Sequence, residues 1–140
     1  MNTELDDVRA ILRDCRTVAV VGLSPRPERD SHRVARYMLQ QGWRIVPVNP
    51  VAAGQTILGE PVYPSLAEAA KHAHIDLVDC FRNSADIPPI VDEAIAIGAP
   101  ALWLQLGVQH AGAVAKARAA GLRVVENRCL MVDHANHPQP

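Results

Sequence analysis

The stretch Thr17-Val-Ala-Val-Val-Gly22 is a run of small and β-branched residues that ends in a glycine. A polar loop, Leu23-Ser-Pro-Arg-Pro-Glu-Arg-Asp30, separates it from a helical pattern that begins at Ser31. A strand that turns through glycine into a helix opens a βαβ unit, and the amino terminus of such a helix attracts anions. The stretch therefore predicts a parallel α/β sheet with an anion site after its first strand.

The loop lacks the glycines of a dinucleotide-binding motif, because no glycine follows Gly22 until Gly42. A Gly-x-Gly-x-x-Gly loop works by close approach of the backbone to the pyrophosphate. Here Ser24, Pro25 and Arg26 offer a hydroxyl, a stiffened backbone and a guanidinium, which hold phosphates through side chains and charge. We therefore expect a phosphorylated, nucleotide-like ligand rather than a nicotinamide dinucleotide.

Strand and helix patterns alternate along the chain. The predicted strands cover residues 17–22, 44–48, 61–63, 75–81, 101–105 and 122–126. The predicted helices cover residues 4–14, 31–41, 65–70, 87–97 and 111–120. This alternation is typical of a Rossmann-like, three-layer α/β/α fold with a mainly parallel sheet of five to six strands. We expect a single domain over residues 1–140, with a loose tail from about residue 135.

Composition and charge exclude several classes of function. With a formal net charge of −1, the 140-residue chain lacks the broad basic surface that non-specific nucleic-acid binding needs. No apolar stretch is long enough to span a bilayer, and the amino terminus lacks the basic and apolar regions of a signal peptide. The three cysteines show no C-x-x-C spacing, so we expect no disulfide framework. These features favour a cytoplasmic protein that binds neither nucleic acid nor membrane.

Ligands of open parallel sheets bind outside the carboxyl ends of the strands, where the winding direction reverses. The loops that leave those ends carry four arginines, namely Arg26, Arg29, Arg82 and Arg128. Four guanidinium groups beside a helix amino terminus indicate a polyanionic ligand. The alternative interpretation is that all four are ordinary solvated arginines.

Four motifs follow one another in the chain: Val20-Val-Gly-Leu-Ser24, Val46-Pro-Val-Asn-Pro50, Leu102-Trp-Leu-Gln-Leu-Gly107 and Glu126-Asn-Arg-Cys-Leu-Met131. In this order and spacing they resemble the CoA-binding domain family. Its members are small stand-alone Rossmann-like proteins similar to the CoA-binding domain of the succinyl-CoA ligase α subunit. The resemblance extends from about residue 10 to residue 134, and it implies that the ligand is coenzyme A or an acyl-CoA.

The resemblance also implies where each part of the ligand would bind. The loop after the first strand and the start of the next helix would hold the pyrophosphate. The loops after the second and fourth strands would lie near the adenosine part, and the last two loops would frame the pantetheine arm. The residues assigned to the site are Gly22, Leu23, Ser24, Pro25, Arg26, Ser31, Asn49, Pro50, Phe81, Arg82, Asn83, Gln105, Gly107, Asn127, Arg128 and Cys129.

Cys129 supports a narrower hypothesis about the thiol end of that ligand. It follows Arg128, and a nearby guanidinium favours the thiolate, which exchanges with disulfides such as oxidised CoA. The alternative is that Cys129 packs as a small hydrophobic residue.

No Ser-His-Asp set or paired carboxylates have catalytic spacing, and the six histidines suggest no metal site, so we expect a non-catalytic binding module. It would sense, store or deliver CoA to a CoA-using protein partner. One alternative is an NAD(P)-linked oxidoreductase-type nucleotide-binding domain, although Asn49 stands where such a domain has an acidic residue. The other is a homodimeric interaction protein that uses the alanine-rich helix 111–120. A homodimer is also compatible with ligand binding.

Overall fold

The computed structural model describes residues 3–137, and a five-stranded parallel sheet runs through its centre. The strand order is β2-β1-β5-β6-β7, and a separate two-stranded antiparallel ribbon is formed by β3 and β4. The strands are β1 (Thr17–Val21), β2 (Arg44–Val48), β3 (Thr56–Ile57), β4 (Glu60–Pro61), β5 (Leu77–Cys80), β6 (Ala101–Leu104) and β7 (Arg123–Val125). Each sheet strand is buried almost throughout, as expected when both faces of a parallel sheet are covered.

Helices cover both faces of the sheet, and an apolar core lies on each side. The helices are α1 (Glu4–Asp14), α2 (Asp30–Gln40), α3 (Leu66–Ala70), α4 (Ile87–Ala96), α5 (Ala111–Ala119) and α6 (Leu130–Asn136). One core joins α3, α4 and α5 to the sheet, and the other joins α1, α2 and α6 to its opposite face. The predicted Rossmann-like α/β/α fold is therefore confirmed. Within the described residues, no helix has the length and apolar character needed to cross a membrane.

Local sequence explains where several helices begin. Thr3 and Asp6 form a capping box, in which each side chain accepts a hydrogen bond from the other residue's backbone N–H. Ser65 caps α3 by accepting from the N–H of Glu68. Pro88 and Pro89 lie in the first turn of α4, where a missing N–H breaks no intrahelical hydrogen bond.

Two parts of the chain differ from the sequence prediction. The strand expected at residues 61–63 is replaced by the β3–β4 ribbon, and only Tyr63 bridges to the main sheet, opposite Val48. The helix α6 was not predicted, and it extends past residue 135, where we expected a loose tail to begin. The buried side chain of Leu130 holds α6 against the same core as α1 and α2. Residues 138–140 lie outside the described residues.

The strand order determines where a ligand site is expected. The chain places β2 on one side of β1 and then crosses to the other side to form β5, so the winding direction reverses between β1 and β5. In open α/β sheets, this reversal opens a crevice at the carboxyl ends of the two strands. The loops after β1 and β5 therefore form the centre of any site at this edge.

Candidate functional site

Gly22 makes the turn that carries the chain out of β1. Its φ angle is +89°, a conformation that residues with a Cβ rarely adopt, and its N–H donates to the carbonyl oxygen of Val48 over 2.8 Å. A Cβ built at Gly22 would lie 2.3 Å from the carbonyl oxygen of Phe81. The close approach of β1 and the β5 loop thus requires glycine here, and it brings these two loops together at the reversal.

The loop between β1 and α2 is held in place by side chains of the helix it enters. The N–H of Ser24 donates to Oγ of Ser31 over 3.0 Å, and Nδ1 of His32 donates to the carbonyl oxygen of Ser24 over 3.0 Å. The hydroxyl of Ser24 in turn accepts from the N–H of Arg26 over 3.1 Å. These bonds fix the loop before any ligand binds, which lowers the entropic cost of binding.

A cleft of about 960 Å³ opens along the carboxyl ends of the sheet strands, centred on the reversal between β1 and β5. It is open to solvent on one side and is lined by loops from β1, β2, β5 and β6 and by the start of α6. The residues assigned from the sequence that line it are Gly22, Ser24, Pro25, Arg26, Asn49, Phe81, Arg82, Asn83, Gln105 and Cys129. The structure therefore brings together residues from distant parts of the chain.

Three assigned residues of the first two loops do not line the cleft. Leu23 is fully buried, and its side chain belongs to the core beneath α1 and α2. Ser31 is also buried, and its hydroxyl is used by the N–H of Ser24. Pro50 is exposed outside the cleft. Leu23 and Ser31 support the loop from below.

The last two loops also hold assigned residues that do not line the cleft, namely Gly107, Asn127 and Arg128. Oδ1 of Asn127 accepts from the N–H of Gly107 over 2.8 Å, which ties the loop after β7 to the loop after β6. Arg128 forms a bidentate ion pair with Asp133 of α6, with distances of 2.8 and 2.7 Å. This pairing raises the pKa of the Arg128 guanidinium and occupies it within the protein. A ligand at this edge would therefore have to compete with Asp133 for the Arg128 guanidinium.

The cleft also has lining residues that sequence reasoning missed. They are Asp30, Arg33, Val34, Val51, Asp86, Leu106, Val108 and Met131. Asp30, Arg33 and Val34 share one face of the first turns of α2, so the helical spacing from the loop was a usable signal for them. Met131 gave no such signal, because it lies in the unpredicted helix α6.

Three arginines line the cleft, but two of them already have acidic partners. Arg33 pairs with Asp30 on α2, and Arg82 pairs with Asp86 over a long 3.4 Å contact. Arg26 is exposed and forms no ion pair within residues 3–137. Arg26 can therefore bind an anion without first breaking an ion pair, unlike Arg33 and Arg82.

The far end of the cleft, beside β6 and α6, is mainly apolar. Leu106, Val108 and Met131 line it together with Cys129, whose side chain is half-buried. Leu106 is 68% exposed, although it is a large hydrophobic side chain. Because β6 and β7 follow β5 in the sheet order, this apolar end lies away from Arg26. The cleft thus has a charged middle and an apolar end.

A buried carboxyl lies behind the cleft on the central strand β5. Asp79 is fully buried, and its Oδ1 accepts from Nε2 of Gln105 over 2.7 Å. Burial raises the pKa of Asp79 from its ordinary value of 3.8 to about 7, because the ionised form loses its hydration; the Gln105 hydrogen bond opposes this shift. The sequence pattern around Asp79 had suggested no role for it.

Comparison with known proteins identifies the family. The model of the CoA binding domain matches residues 16–135, which is most of the chain. The chain belongs to the CoA-binding domain family. The resemblance seen in the four sequence motifs is thereby confirmed, and the cleft lies within the matched region.

Relatives of this CoA-binding domain extend over its full length. It is 35% identical to the uncharacterized protein YneT of Bacillus subtilis (strain 168) over 134 residues, covering 96% of each chain. The structure of cell-free ID.343 from Thermus thermophilus superposes with a TM-score of 0.87 at 34% identity, covering 99% of this chain and 100% of that one.

A more distant likeness concerns the fold alone. The dinucleotide forming acetyl-coenzyme A synthetase 1 of Ca. Korarchaeum cryptofilum matches with a TM-score of 0.71 at 19% identity. The match covers 86% of this chain but only 28% of that chain. The CoA-binding domain therefore shares its fold with one segment of a much larger protein.

Proposed function

We propose that this protein binds coenzyme A or an acyl-CoA in the cleft at the β1–β5 reversal, as a binding module without a reaction of its own. The observation that carries the proposal is the division of the cleft into a charged middle and an apolar end. Coenzyme A has the same division, because its pyrophosphate lies between the adenosine and the pantetheine arm, which ends in a thiol or thioester. A cleft of about 960 Å³ is at the upper end of the usual size for small-molecule sites, as an extended ligand requires.

The phosphates would bind beside the start of α2. Arg29 occupies the amino-terminal capping position without a side-chain hydrogen bond to the helix, so no side chain competes there for the first N–H groups. A helix amino terminus favours negative charge, and Arg26 adds a guanidinium at the same loop. Arg82 would add a second charge by exchanging its long contact with Asp86 for a phosphate.

The pantetheine arm would extend along the loop after β6 and past the start of α6. Leu106, Val108 and Met131 would cover its apolar carbons, and Gln105 would meet one of its polar groups. Cys129 would lie near the sulfur end, so its exchange with oxidised CoA stays a prediction of the same binding mode.

The state of Asn49 favours this proposal over a nicotinamide dinucleotide. Its Nδ2 donates to the carbonyl oxygen of Leu23 over 3.0 Å, and its Oδ1 accepts from the N–H of Val51 over 3.0 Å. The amide is therefore used to brace the loops after β1 and β2. A dinucleotide site would need an acidic side chain here to bind the ribose hydroxyls.

Native mass spectrometry followed by calorimetry tests the proposed function. We expect the purified protein to bind CoA more tightly than dephospho-CoA by about tenfold, because the 3′-phosphate contributes a charge-assisted hydrogen bond. We expect NAD to bind more weakly than either. Equal affinity for CoA and dephospho-CoA would show that no arginine recognises the 3′-phosphate. Tighter binding of NAD than of CoA would overturn the proposal.

Removal of one guanidinium should separate ligand binding from stability. Arg26→Ala is expected to weaken CoA binding by about tenfold, because an exposed, unpaired cation meets the phosphates. Its melting temperature without ligand should stay nearly unchanged, since such surface changes usually alter stability by no more than about 0.5 kcal/mol. The substitution keeps the hydrogen bond from the backbone N–H of residue 26 to the hydroxyl of Ser24.

Arg29→Ala is the matched control, because Arg29 is exposed in the same loop but does not line the cleft. Titration calorimetry and thermal melts of both variants provide the measurement. Equal losses of affinity in the two variants would mean that the loop attracts CoA by its general charge. A lowered melting temperature of Arg26→Ala with unchanged affinity would give Arg26 a structural role instead.

A further inference from the structure

The hydrogen bonding of Asp79 is incomplete in a way that packing does not explain. Its neighbours in register on the adjacent strands are Val20 and Trp103, both buried; Val20 is apolar, and the indole N–H of Trp103 donates to the carbonyl oxygen of Arg128 instead. Oδ2 of Asp79 is buried without a hydrogen-bond partner, and across residues 3–137 no other buried side-chain nitrogen or oxygen lacks one. A buried acceptor without a partner lowers stability, and an apolar side chain would fill the same space at less cost.

Asp79 controls which end of the Gln105 amide faces the cleft. An ionised carboxyl has only acceptors, so the NH₂ group of Gln105 must point toward it, as the 2.7 Å bond from Nε2 shows. The carbonyl oxygen of the same amide then points the other way. Among the described residues that oxygen has no hydrogen-bond partner, yet it is not a buried unsatisfied atom. Because Gln105 lines the cleft and is only 4% exposed, its accessible surface is the part that faces the cleft.

We propose that Asp79 is a positioning residue that presents the carbonyl oxygen of Gln105 to the cleft as an acceptor for a ligand N–H group. The inference rests on the proposed function, and it assigns this acceptor to an amide N–H of the pantetheine arm. The site then selects ligands with a secondary amide over ligands with an ester at the same place, because an ester oxygen cannot donate. The ester is disfavoured mainly because its oxygen and the carbonyl oxygen of Gln105 are both acceptors, so neither gains a hydrogen bond.

The ionised form of Asp79 is the form that holds Gln105 in one orientation. A neutral carboxyl has both a donor and an acceptor, so it can pair with either end of the amide. Since burial raises the pKa of Asp79 to about 7, binding experiments at pH 8 sample the ionised form.

The pairing is tested first in the protein without ligand. We expect the side-chain amide resonances of Gln105 to shift with pH at the same midpoint as the carboxyl carbon of Asp79, because one group hydrogen-bonds the other. In Asp79→Asn the shift of the Gln105 resonances should disappear. Gln105 resonances that do not follow the titration of Asp79 in the wild-type protein would overturn the inference, whatever the ligand proves to be.

Selectivity is tested at pH 8 with CoA and with two analogues, in each of which one pantetheine amide N–H is replaced by an ester oxygen. We expect the wild-type protein to bind one analogue about tenfold more weakly than CoA, which corresponds to one lost hydrogen bond in a desolvated site. Asp79→Asn should reduce this ratio to below about twofold, because an asparagine lets Gln105 present either end of its amide.

Gln105→Met is the second variant, since it keeps the length of the side chain but removes its polar atoms. It should also lose the discrimination, and it supplies the test if Asp79→Asn does not fold. Wild-type binding of CoA and of both ester analogues with equal affinity would overturn the inference and leave the proposed function standing. Absence of any CoA binding would overturn the proposed function, and the ligand-free titration would still decide whether Asp79 and Gln105 are paired.

Discussion

Asp79→Asn is expected to gain stability over the wild-type protein as the pH rises. Its free energy of unfolding minus that of the wild-type protein should be about 4 kcal/mol larger at pH 8 than at pH 4. In the folded protein, burial raises the pKa of Asp79 to about 7 from 3.8. The folded state therefore keeps the proton between these values, whereas the unfolded state releases it. The wild-type protein loses stability from this group as the pH rises from about 4 to about 7, and the loss persists above pH 7. An asparagine does not titrate, so the variant escapes this loss.

Urea unfolding of both proteins at pH values from 4 to 8 measures the effect. The difference in the free energy of unfolding, variant minus wild type, should rise with pH between about 4 and 7, most steeply in the middle of this range, and then level off. The comparison cancels the titration of every other group that the two proteins share. A difference that stays constant over this range would mean that Asp79 ionises normally, and that its burial does not hold the proton.

The same substitution should weaken ligand selection while it raises stability at pH 8. A buried carboxyl with one hydrogen bond is costly to the fold, and such costs are found where a site needs a fixed polar group. Asp79 would then lower the stability of the fold but hold Gln105 in a single orientation at the cleft. An increase of stability in Asp79→Asn without any change in selectivity would separate the two effects and leave the buried carboxyl without a role in binding.

Sequence reasoning identified the sheet because its signals are local and repeated. Continuous apolar strands such as β1, followed by helices with regular spacing, predict a parallel sheet before any contact is known. Caps such as Thr3 and Ser65 lie next to the helices they begin, so their roles follow from neighbouring residues. The position of the cleft also followed, because the carboxyl ends of parallel strands share one edge.

The parts that could not be predicted depend on contacts between distant residues. The helix α6 is short, and it is anchored by Leu130 in a core built from other elements. Without α6, the pairing of Arg128 with Asp133 could not be anticipated from the sequence. The hydrogen bond between Asp79 and Gln105 joins two strands that are separated along the chain. Its importance comes from the burial of Asp79, which cannot be predicted from a single polar residue in a strand.

Within the predicted loops, the direction of each side chain decided its role. Ser31 and Leu23 belong to the right loop, but both side chains face inward, where one hydroxyl holds Ser24 and one apolar group fills the core. Arg33 was missed although it lies one helical turn beyond the loop and faces the cleft. A loop position on a sheet edge is thus predictable from topology, whereas side-chain direction needs the turn geometry.

Gly22→Ala is expected to destabilise the protein by at least about 3 kcal/mol. The variant will not fold if the free energy of unfolding of the wild-type protein is smaller than this loss. The φ angle of +89° alone costs a residue with a Cβ about 1–2 kcal/mol. In addition, the new Cβ would lie 2.3 Å from the carbonyl oxygen of Phe81, which is backbone and cannot rotate away. The loops after β1 and β5 would have to separate, which would open the floor of the cleft.

Gly42→Ala is the matched control for this prediction. Gly42 has a φ angle of +92°, almost the same as Gly22, but no atom lies within 4 Å of the position of its Cβ. The control therefore carries only the backbone cost of about 1–2 kcal/mol. Urea unfolding of both variants isolates the contribution of the close approach between the two loops. Equal losses of stability at the two glycines would mean that the loops after β1 and β5 separate at little energetic cost. The floor of the cleft could then move when a ligand binds.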